Sequence, residues 1–309
     1  MFTNKHLLAI IEEKTEHQPA LEQAIEIAKV TGAQITAFLN IYDFASEIDA
    51  AIAGTFLHNM KRCTLDRQRE WLAQLLTRFQ SSGITIRAVV DWNKQLHAAV
   101  LEELKNKAYD CVLKTAHHHA ILKRILFTPK DWHLIRACPI PLFLIQEKSL
   151  LQGKALVGVD LADIVADSKR EALNARLIHT AKNLKETFGL TPYLIHAYPS
   201  IPALMTTTPD IVSPAEFQEE LKSYRKKALQ NLATQHNMDP AHTILAEGPI
   251  EVVVSQTAED LFADWVIMGS HARAGASGFF IGNTAEALLE RTSRNMLVIP
   301  QKTPETQNT

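Results

Sequence analysis

Residues Asp264–His271 read DWVIMGSH, and residues Asp110–His117 read DCVLKTAH. The two stretches are separated by an offset of 154 (264 minus 110), which holds without a gap to Met296–Ile299 and Leu142–Ile145. Each stretch begins with an acid, continues as an apolar run and ends in polar residues. An internal repeat of this length indicates two copies of one domain.

The repeat also extends upstream in each half. Leu8–Glu12 matches Leu156–Asp160, and Ala37–Tyr42 matches Tyr193–Tyr198. A chain of 309 residues is long enough for two domains of ordinary size. We therefore expect a first domain at residues 1–148 and a second at 153–302, with the linker at Glu147–Gly153.

Short apolar runs alternate with longer amphipathic stretches in each half. Continuous Val, Ile and Leu runs are typical of strands covered on both faces, and strand–helix alternation favours a parallel sheet. In the second half the pattern predicts strands near 154–160, 191–198, 242–247, 264–269 and 296–300, and helices near 168–188, 214–236, 249–262 and 284–293. Ligands of such sheets bind beyond the carboxyl ends of the strands. Asp160 and Gly269, expected to end the first and fourth strands, should therefore face a crevice.

The loop after the fourth strand carries the clearest functional signal. Gly269, Ala272, Gly282 and Asn283 follow one another with the spacing Gly-x2-Ala-x9-Gly-Asn. Glycine allows close backbone approach to an anion, and the N–H groups at a helix start carry partial positive charge that favours phosphate. The spacing resembles the nucleotide loop of the universal stress protein family, Gly-x2-Gly-x9-Gly-Ser/Thr, and departs from it at Ala272 and Asn283.

The resemblance covers nearly the whole chain, twice, and is closest to the tandem-domain members of the family. It rests on the segments Gln18–Leu21, Ala37–Phe44, Phe127–Leu134 and Gly282–Glu286. It implies a cytoplasmic stress-response protein with two tandem flavodoxin-like α/β domains, each a five-stranded parallel sheet flanked by helices. It also implies that the final strands, Leu142–Ile145 and Met296–Ile299, pair so that the domains pack as an internal pseudo-dimer. Further homo-oligomerisation stays open.

The resemblance places a nucleotide such as ATP in the second domain only. The contacts it implies are Asp160, His196, Ala197, Gly269, Ser270, Gly282, Asn283 and Thr284. Asp160 would accept hydrogen bonds from ribose or adenine, and the loop residues would meet the phosphates. A purely structural alternative is that Gly269 ends a strand and that Asn283 and Glu286 form a capping box.

The first half departs from the family loop at every corresponding position. Thr115, His118, Thr128 and Pro129 stand where the loop glycines and the final Ser/Thr would fall. Pro129 has no N–H to donate and suits the first turn of a helix, while Asp131 places negative charge where phosphate would sit. We expect that the first domain does not bind ATP in the family manner.

A metal site is another hypothesis for the first half. His117–His119 supply imidazoles, but neighbours on a strand face opposite ways. Only His117 and His119 share a face, with His133 or Glu12 as a third ligand. The sequence has neither HExxH nor paired CxxC motifs, so no metal is predicted.

Two further stretches are ambiguous between core, loop and binding surface. Pro199–Pro214 is rich in Thr and Pro and is expected to form a mobile loop over the second-half crevice. Leu151 and Ala203–Met205 offer the alternative of a slot for an acyl chain. Between Ala45 and Arg78 apolar residues recur at helical spacing, including Met60 and Leu72, which predicts a helix packed on the core.

Composition argues against several classes of function. Hydrophobic residues make up 46% and charged residues 21%, as in a globular protein with a full core. The net charge of −2 gives no general attraction to nucleic acid or an acidic membrane. Three cysteines without CxxC pairing suggest reduced thiols, and no stretch has the pattern of a signal peptide or membrane span. We expect a cytoplasmic protein.

Three functions compete on this sequence. The first is a non-catalytic stress-response protein that responds to a nucleotide or acts as a scaffold. The second is a slow ATPase, and the third is a binder of an apolar or acyl metabolite. Turnover needs a positioned base or nucleophile and charge stabilisation. The chain has no Walker lysine motif, so binding is favoured over catalysis.

Overall fold

The computed structural model describes residues 1–42, 50–116, 118–119, 124–125, 129–149, 151–161, 168–199, 214–270 and 283–301. At residues 50–58, 118–119, 124–125, 129–131, 214–215 and 283–286 it describes the backbone alone. The described residues of the two halves share one ten-stranded sheet.

The first half alternates strands and helices. Its strands are β1 (His6–Ile10), β2 (Gln34–Ile41), β3 (Ile86–Trp92), β4 (Cys111–Thr115), the small hairpin β5 (His118–His119) and β6 (Arg124–Ile125), and β7 (Leu142–Ile145). Its helices are α1 (Pro19–Thr31), α2 (Ala50–Thr77), α3 (Leu96–Asn106) and α4 (Pro129–Ala137). The helix predicted to start at Pro129 is therefore confirmed.

The second half repeats the pattern. Its strands are β8 (Lys154–Gly158), β9 (Thr191–Tyr198), β10 (Thr243–Glu247), β11 (Trp265–Ser270) and β12 (Asn295–Pro300). Its helices are α5 (Ser168–Phe188), α6 (Pro214–Gln235), α7 (Ile250–Asp260) and α8 (Asn283–Arg291). Every element predicted for this half is present, with ends that differ by no more than two residues.

The strand order is β10-β9-β8-β11-β12-β7-β4-β1-β2-β3. In each half the order is third, second, first, fourth and fifth, with all neighbours parallel. The halves join through β7 and β12, which pair antiparallel with Phe143 opposite Leu297. The predicted internal pseudo-dimer is confirmed. Because each final strand covers the other, two edges that would invite aggregation are removed.

The core lies on both faces of the sheet. Every residue of β1, β4, β7 and β12 is buried, whereas the edge strands β3 and β10 are largely half-exposed. Leu7 belongs to the cluster on one face and Leu8 to the cluster on the other, as the pleat of a strand requires. Helices therefore cover both faces, which is why the central strands read as continuous apolar runs.

The two halves are also joined by polar contacts at one end of the β7–β12 pair. The side chain of Asn295 accepts from the N–H of Gln146 at 2.8 Å and donates to the carbonyl of Glu147 at 2.9 Å. Phe143 meets Trp265 edge to face at 5.3 Å between ring centroids. Asn295 is 5% exposed, so the side chain that joins the two halves here is itself buried.

Two expectations about side chains have mixed outcomes. Cys111 and Cys138 are buried, as expected of small core residues. In α2, Leu72 and Leu75 are buried, but Met60 is 42% exposed, so the prediction that Met60 packs in the core is wrong. Within the described part of the chain, no helix combines the length and apolar character that crossing a bilayer needs.

Candidate functional site

The candidate site lies where the strand order of the second half reverses. Val157 of β8 pairs with Leu194 of β9 on one side and with Ile267 of β11 on the other. All three strands run parallel, so their carboxyl ends meet at one edge of the sheet. The chain leaving β8 and the chain leaving β11 therefore bracket one crevice, which is where open α/β sheets bind ligands.

Asp160 lies two residues beyond β8, which ends at Gly158 rather than at Asp160. The side-chain amide of Asn174 holds its backbone. The N–H of Asp160 donates to Oδ1 of Asn174 at 3.1 Å, and Nδ2 of Asn174 donates to the carbonyl of Asp160 at 2.7 Å. The Asp160 carboxylate is 59% exposed and lies 3.7 Å from Nη1 of Arg170. A fixed backbone thus carries an accessible carboxylate at this edge of the sheet, beside the guanidinium of Arg170.

His196 lies beneath the segment that carries Asp160. Its Nδ1 is 3.4 Å from the N–H of Leu161 and 3.2 Å from the carbonyl oxygen of Val159, the two neighbours of Asp160 in sequence. The ring is 4% exposed and stacks on Tyr198 at 6.3 Å. The structure therefore brings His196 and Asp160 together, and the histidine contacts the backbone on both sides of Asp160. Ala197 is half-buried and pairs with Ala246 of β10.

Gly269 lies in β11, which continues for one residue to Ser270. A Cβ atom at Gly269 would fall 2.5 Å from Cδ2 of Leu173, a buried residue of α5. The absence of a side chain thus lets α5 pack closely on the sheet. Leu173 directly precedes Asn174 in α5. The close packing of α5 on Gly269 therefore also positions the Asn174 side-chain amide that binds the backbone of Asp160. This role for Gly269 is independent of any ligand.

An arginine that the sequence analysis did not identify, Arg176, binds the carboxyl end of β12 at this edge of the sheet. Arg176 of α5 donates through Nη1 to the carbonyl of Gln301 at 2.8 Å and to the carbonyl of Pro300. Burial lowers the pKa of its guanidinium. Ser270 pairs in register with Pro300 and accepts from the N–H of Gln301 at 3.1 Å. These bonds fix the end of β12 against β11 and α5.

The predicted phosphate side of the site is only partly described. Gly282 lies outside the described residues, as do Ala272 and the rest of the loop between Ser270 and Asn283. Helix α8 begins at Asn283 and includes Thr284, both described by backbone alone. A helix start at this point carries the partial positive charge expected of an anion site.

Aromatic and charged residues flank the end of β9. The guanidinium of Arg225, 7% exposed, lies 4.3 Å from the ring centroid of Tyr198. Burial raises the pKa of the Tyr198 phenol, and the carboxylate of Glu247, 3.4 Å away, raises it further. No motif marks Arg225 in the sequence, because it reaches this edge from α6.

The first domain repeats the backbone clamp with different residues. The N–H of Glu12, the counterpart of Asp160, donates to Oε1 of Gln18 at 3.0 Å, and Nε2 of Gln18 donates back to the Glu12 carbonyl at 2.8 Å. Thr115, the counterpart of Gly269, accepts through Oγ1 from the N–H of Ala20 in the first turn of α1 at 3.4 Å. Helix α4 begins at Pro129, the counterpart of Asn283.

The remaining candidates fall largely outside the described residues. His117 is outside them, and His118 and His119 are described by backbone alone, so the metal hypothesis is not tested. Among the side chains that are described, no cluster of three or more His, Cys, Asp or Glu residues could hold a metal ion. Ala203–Met205 and the loop around them also lie outside, while Leu151 packs against the core.

Comparison with known proteins identifies the fold and the family pattern. The model of the Universal stress protein family matches residues 3–146 and 154–300. Universal stress protein E of Salmonella typhi is 30% identical over 96% of this chain and 94% of its own length. The protein of the same name from Escherichia coli (strain K12) is 30% identical over 96% and 93%.

Solved structures agree on the fold. A functionally unknown protein from Pseudomonas aeruginosa PAO1 has a TM-score of 0.72 at 23% identity, covering 96% of this chain and 93% of its own. A universal stress protein from Archaeoglobus fulgidus DSM 4304 has a TM-score of 0.68 at 15% identity, covering 97% and 100%. These likenesses show two tandem domains in one chain with the same architecture.

Proposed function

Because the chain belongs to the Universal stress protein family, we propose that it is a non-catalytic stress-response protein that binds a nucleotide such as ATP in its second domain. The two functional units are residues 1–148 and 153–302. Cys63, Cys111 and Cys138 are all free thiols, which is typical of proteins in a reducing compartment and supports a cytoplasmic location in this proposal.

The arrangement of Asp160 is the observation that carries this proposal. Its backbone is clamped by Asn174 and supported by His196, yet its carboxylate is 59% exposed at the switch point of the sheet. A preorganised acceptor loses little entropy when a ligand binds. Ribose hydroxyls and the adenine amino group are donors of the right kind for it.

The phosphates belong on the other side of the crevice. The chain leaves β11 after Ser270 and starts α8 at Asn283, so the helix start and the strand end face the same edge. Backbone N–H groups at a helix start bind anions without a charged side chain. In this proposal Gly269 and Ser270 line the approach, and Gly282, Asn283 and Thr284 meet the phosphates.

The first domain is proposed not to bind a nucleotide in this manner. Thr115 adds a hydroxyl where the second domain has Gly269, and that hydroxyl already accepts from α1. Pro129 removes one of the N–H groups that an anion needs at the start of α4. The two clamps are alike, so the asymmetry comes from the phosphate side of the two sites.

Native mass spectrometry of the full chain tests this function. With ATP in tenfold excess, we expect one nucleotide adduct per chain, together with no release of inorganic phosphate above a buffer control over hours. Absence of any adduct would refute nucleotide binding, and steady phosphate release would establish the ATPase alternative. An acyl compound retained by protein from its own cells would establish the apolar-metabolite alternative.

A further inference from the structure

A cleft of about 850 Å³ lies between the two domains, apart from the crevice at Asp160. The first domain contributes the carboxyl ends of β1 and β4 and the segment after β7. The second contributes the residues just before β11 and β12, among them Asp264 and Arg294. Since β7 and β12 are antiparallel, the carboxyl edge of one sheet adjoins the amino edge of the other. Asp160 is at the opposite edge of the second domain.

Arg294 and Lys148 are the two Lys or Arg side chains among the described residues that line this cleft. The structure pairs Arg294 with no acid among the described residues, and its Nε is buried without a hydrogen-bond partner. Its backbone is fixed, because Nε2 of Gln146 donates to its carbonyl at 2.8 Å. A buried guanidinium nitrogen without an acceptor is costly, and an anion that accepted from Nε of Arg294 would remove that cost.

Other groups in the cleft define what kind of anion fits. Lys148, which bonds Oε1 of Glu26 at 2.8 Å, adds a second positive charge. The hydroxyl oxygen of Ser149 is buried without a partner. Three acids, Glu12, Glu147 and Asp264, also line the cleft. Their carboxylate oxygens are hydrogen-bond acceptors. Cations together with acceptors complement a ligand that carries both an anionic group and hydroxyl donors.

We propose that the interdomain cleft binds a small hydroxylated phosphate, of the sugar-phosphate class. The planar fork of Arg294 pairs with phosphate through two parallel hydrogen bonds, as guanidinium does elsewhere. A hydroxyl of the ligand donates to the carboxylate of Glu147, an exposed residue of the cleft lining. Because the cleft is lined by both domains, such a ligand also stabilises the domain junction by mass action.

Calorimetric titration of ribose 5-phosphate into the full chain tests this inference. We expect one site per chain and a rise in unfolding temperature with ligand concentration. Arg294→Gln should weaken binding by about tenfold or more, because a charge-assisted pair is lost. Arg291→Gln, an exposed arginine of α8 outside the cleft lining, is the matched control and should bind like the parent.

Two more variants keep the test decisive. Ser293→Asp adds a negative charge at an exposed position of the cleft and should abolish binding even if Arg294→Gln folds poorly. Asp160→Ala should bind ribose 5-phosphate like the parent, which separates this cleft from the proposed nucleotide site. The inference is overturned if the parent binds neither ribose 5-phosphate, glucose 6-phosphate nor inorganic phosphate, or if Arg294→Gln and Ser293→Asp both bind with unchanged affinity.

Discussion

The side-chain amide of Asn174 forms two hydrogen bonds with the backbone of Asp160: it accepts one from the N–H at 3.1 Å and donates one to the carbonyl at 2.7 Å. Gln18 does the same to Glu12 in the first domain, at 3.0 and 2.8 Å. The two amides come from different places: Gln18 directly precedes α1, whereas Asn174 lies within α5. The repeat has therefore kept the clamp while changing the residues that make it.

Removal of the clamp in the second domain should affect both stability and binding. Asn174→Ala removes two part-buried hydrogen bonds to the backbone of Asp160, which at about 0.5–1.5 kcal/mol each should cost about 1–3 kcal/mol of unfolding free energy. ATP affinity should fall as well, because Asp160 is no longer held in place. Urea unfolding and calorimetric titration measure the two effects.

Gln18→Ala is the matched control for that experiment. It breaks the equivalent pair of hydrogen bonds in the first domain and should cost similar stability while leaving ATP affinity unchanged. An equal loss of ATP affinity in Gln18→Ala and Asn174→Ala would contradict the assignment of the nucleotide to the second domain.

Gly269→Ala should destabilise the protein. The added methyl would lie 2.5 Å from Cδ2 and 2.9 Å from Cγ of Leu173, a buried side chain that would have to shift within the core. Overpacking of this kind costs about 1–3 kcal/mol. Thermal unfolding checks the change.

Gly158→Ala in the neighbouring strand is the control for Gly269. There the nearest atom to an added Cβ is the carbonyl oxygen of Ile267 at 3.8 Å, an ordinary contact. Its stability should be unchanged or slightly raised. Equal stability of the Gly269 and Gly158 variants would show that close packing of α5 does not require glycine at 269.

Stability should fall in mild acid because of His6. Burial lowers the pKa of His6 from 6.5 to about 4, with the charges of Lys107 and Arg87 adding to the effect. Between these two pKa values the unfolded chain binds the proton and the folded chain does not. The unfolding free energy should therefore decrease as pH falls from 6.5 to about 4, by about 3 kcal/mol in total, and should not change from this source above that window.

His6→Gln tests that assignment, since glutamine does not titrate. The variant should lose part of the pH slope between 6.5 and 4, whereas His179→Gln, at an exposed position of α5, should keep it. An unchanged slope in the His6 variant would assign the acid sensitivity to other groups.

Asn295→Ala should weaken the junction of the two domains. It removes the acceptor for the N–H of Gln146 and the donor to the carbonyl of Glu147 at a buried position. A loss of about 1–3 kcal/mol is expected. Differential scanning calorimetry should show a lower midpoint, and no change in the midpoint would mean that the apolar β7–β12 pairing alone sets the junction.

Much of the fold could be predicted from the sequence because the repeat and the buried strands leave local signals. The 154-residue offset between similar apolar runs predicts two copies of one domain. The pairing of Leu142–Ile145 with Met296–Ile299 was implied by the family resemblance, and the structure contains it. A strand buried on both faces is recognised as a nearly continuous apolar run.

The candidate site was less accessible to sequence reasoning. Asp160 and Gly269 were found because they follow apolar runs, but Asn174 and Leu173 reach them from a helix with no motif of its own. Arg294 reaches the first domain only through the antiparallel junction. Contacts between segments that are distant in the sequence do not produce a motif with a fixed spacing, so they cannot be recognised from the sequence.

The most direct test of the account is calorimetric titration of ATP into the full chain, the Asp160→Ala variant and the Glu12→Ala variant. Asp160 and Glu12 are counterparts whose backbones form the same pair of hydrogen bonds with a side-chain amide. Comparing the two variants therefore shows which domain binds ATP. The account predicts one ATP per chain, binding abolished in Asp160→Ala and binding unchanged in Glu12→Ala. Two sites per chain, or parental affinity in a folded Asp160→Ala protein, would contradict it.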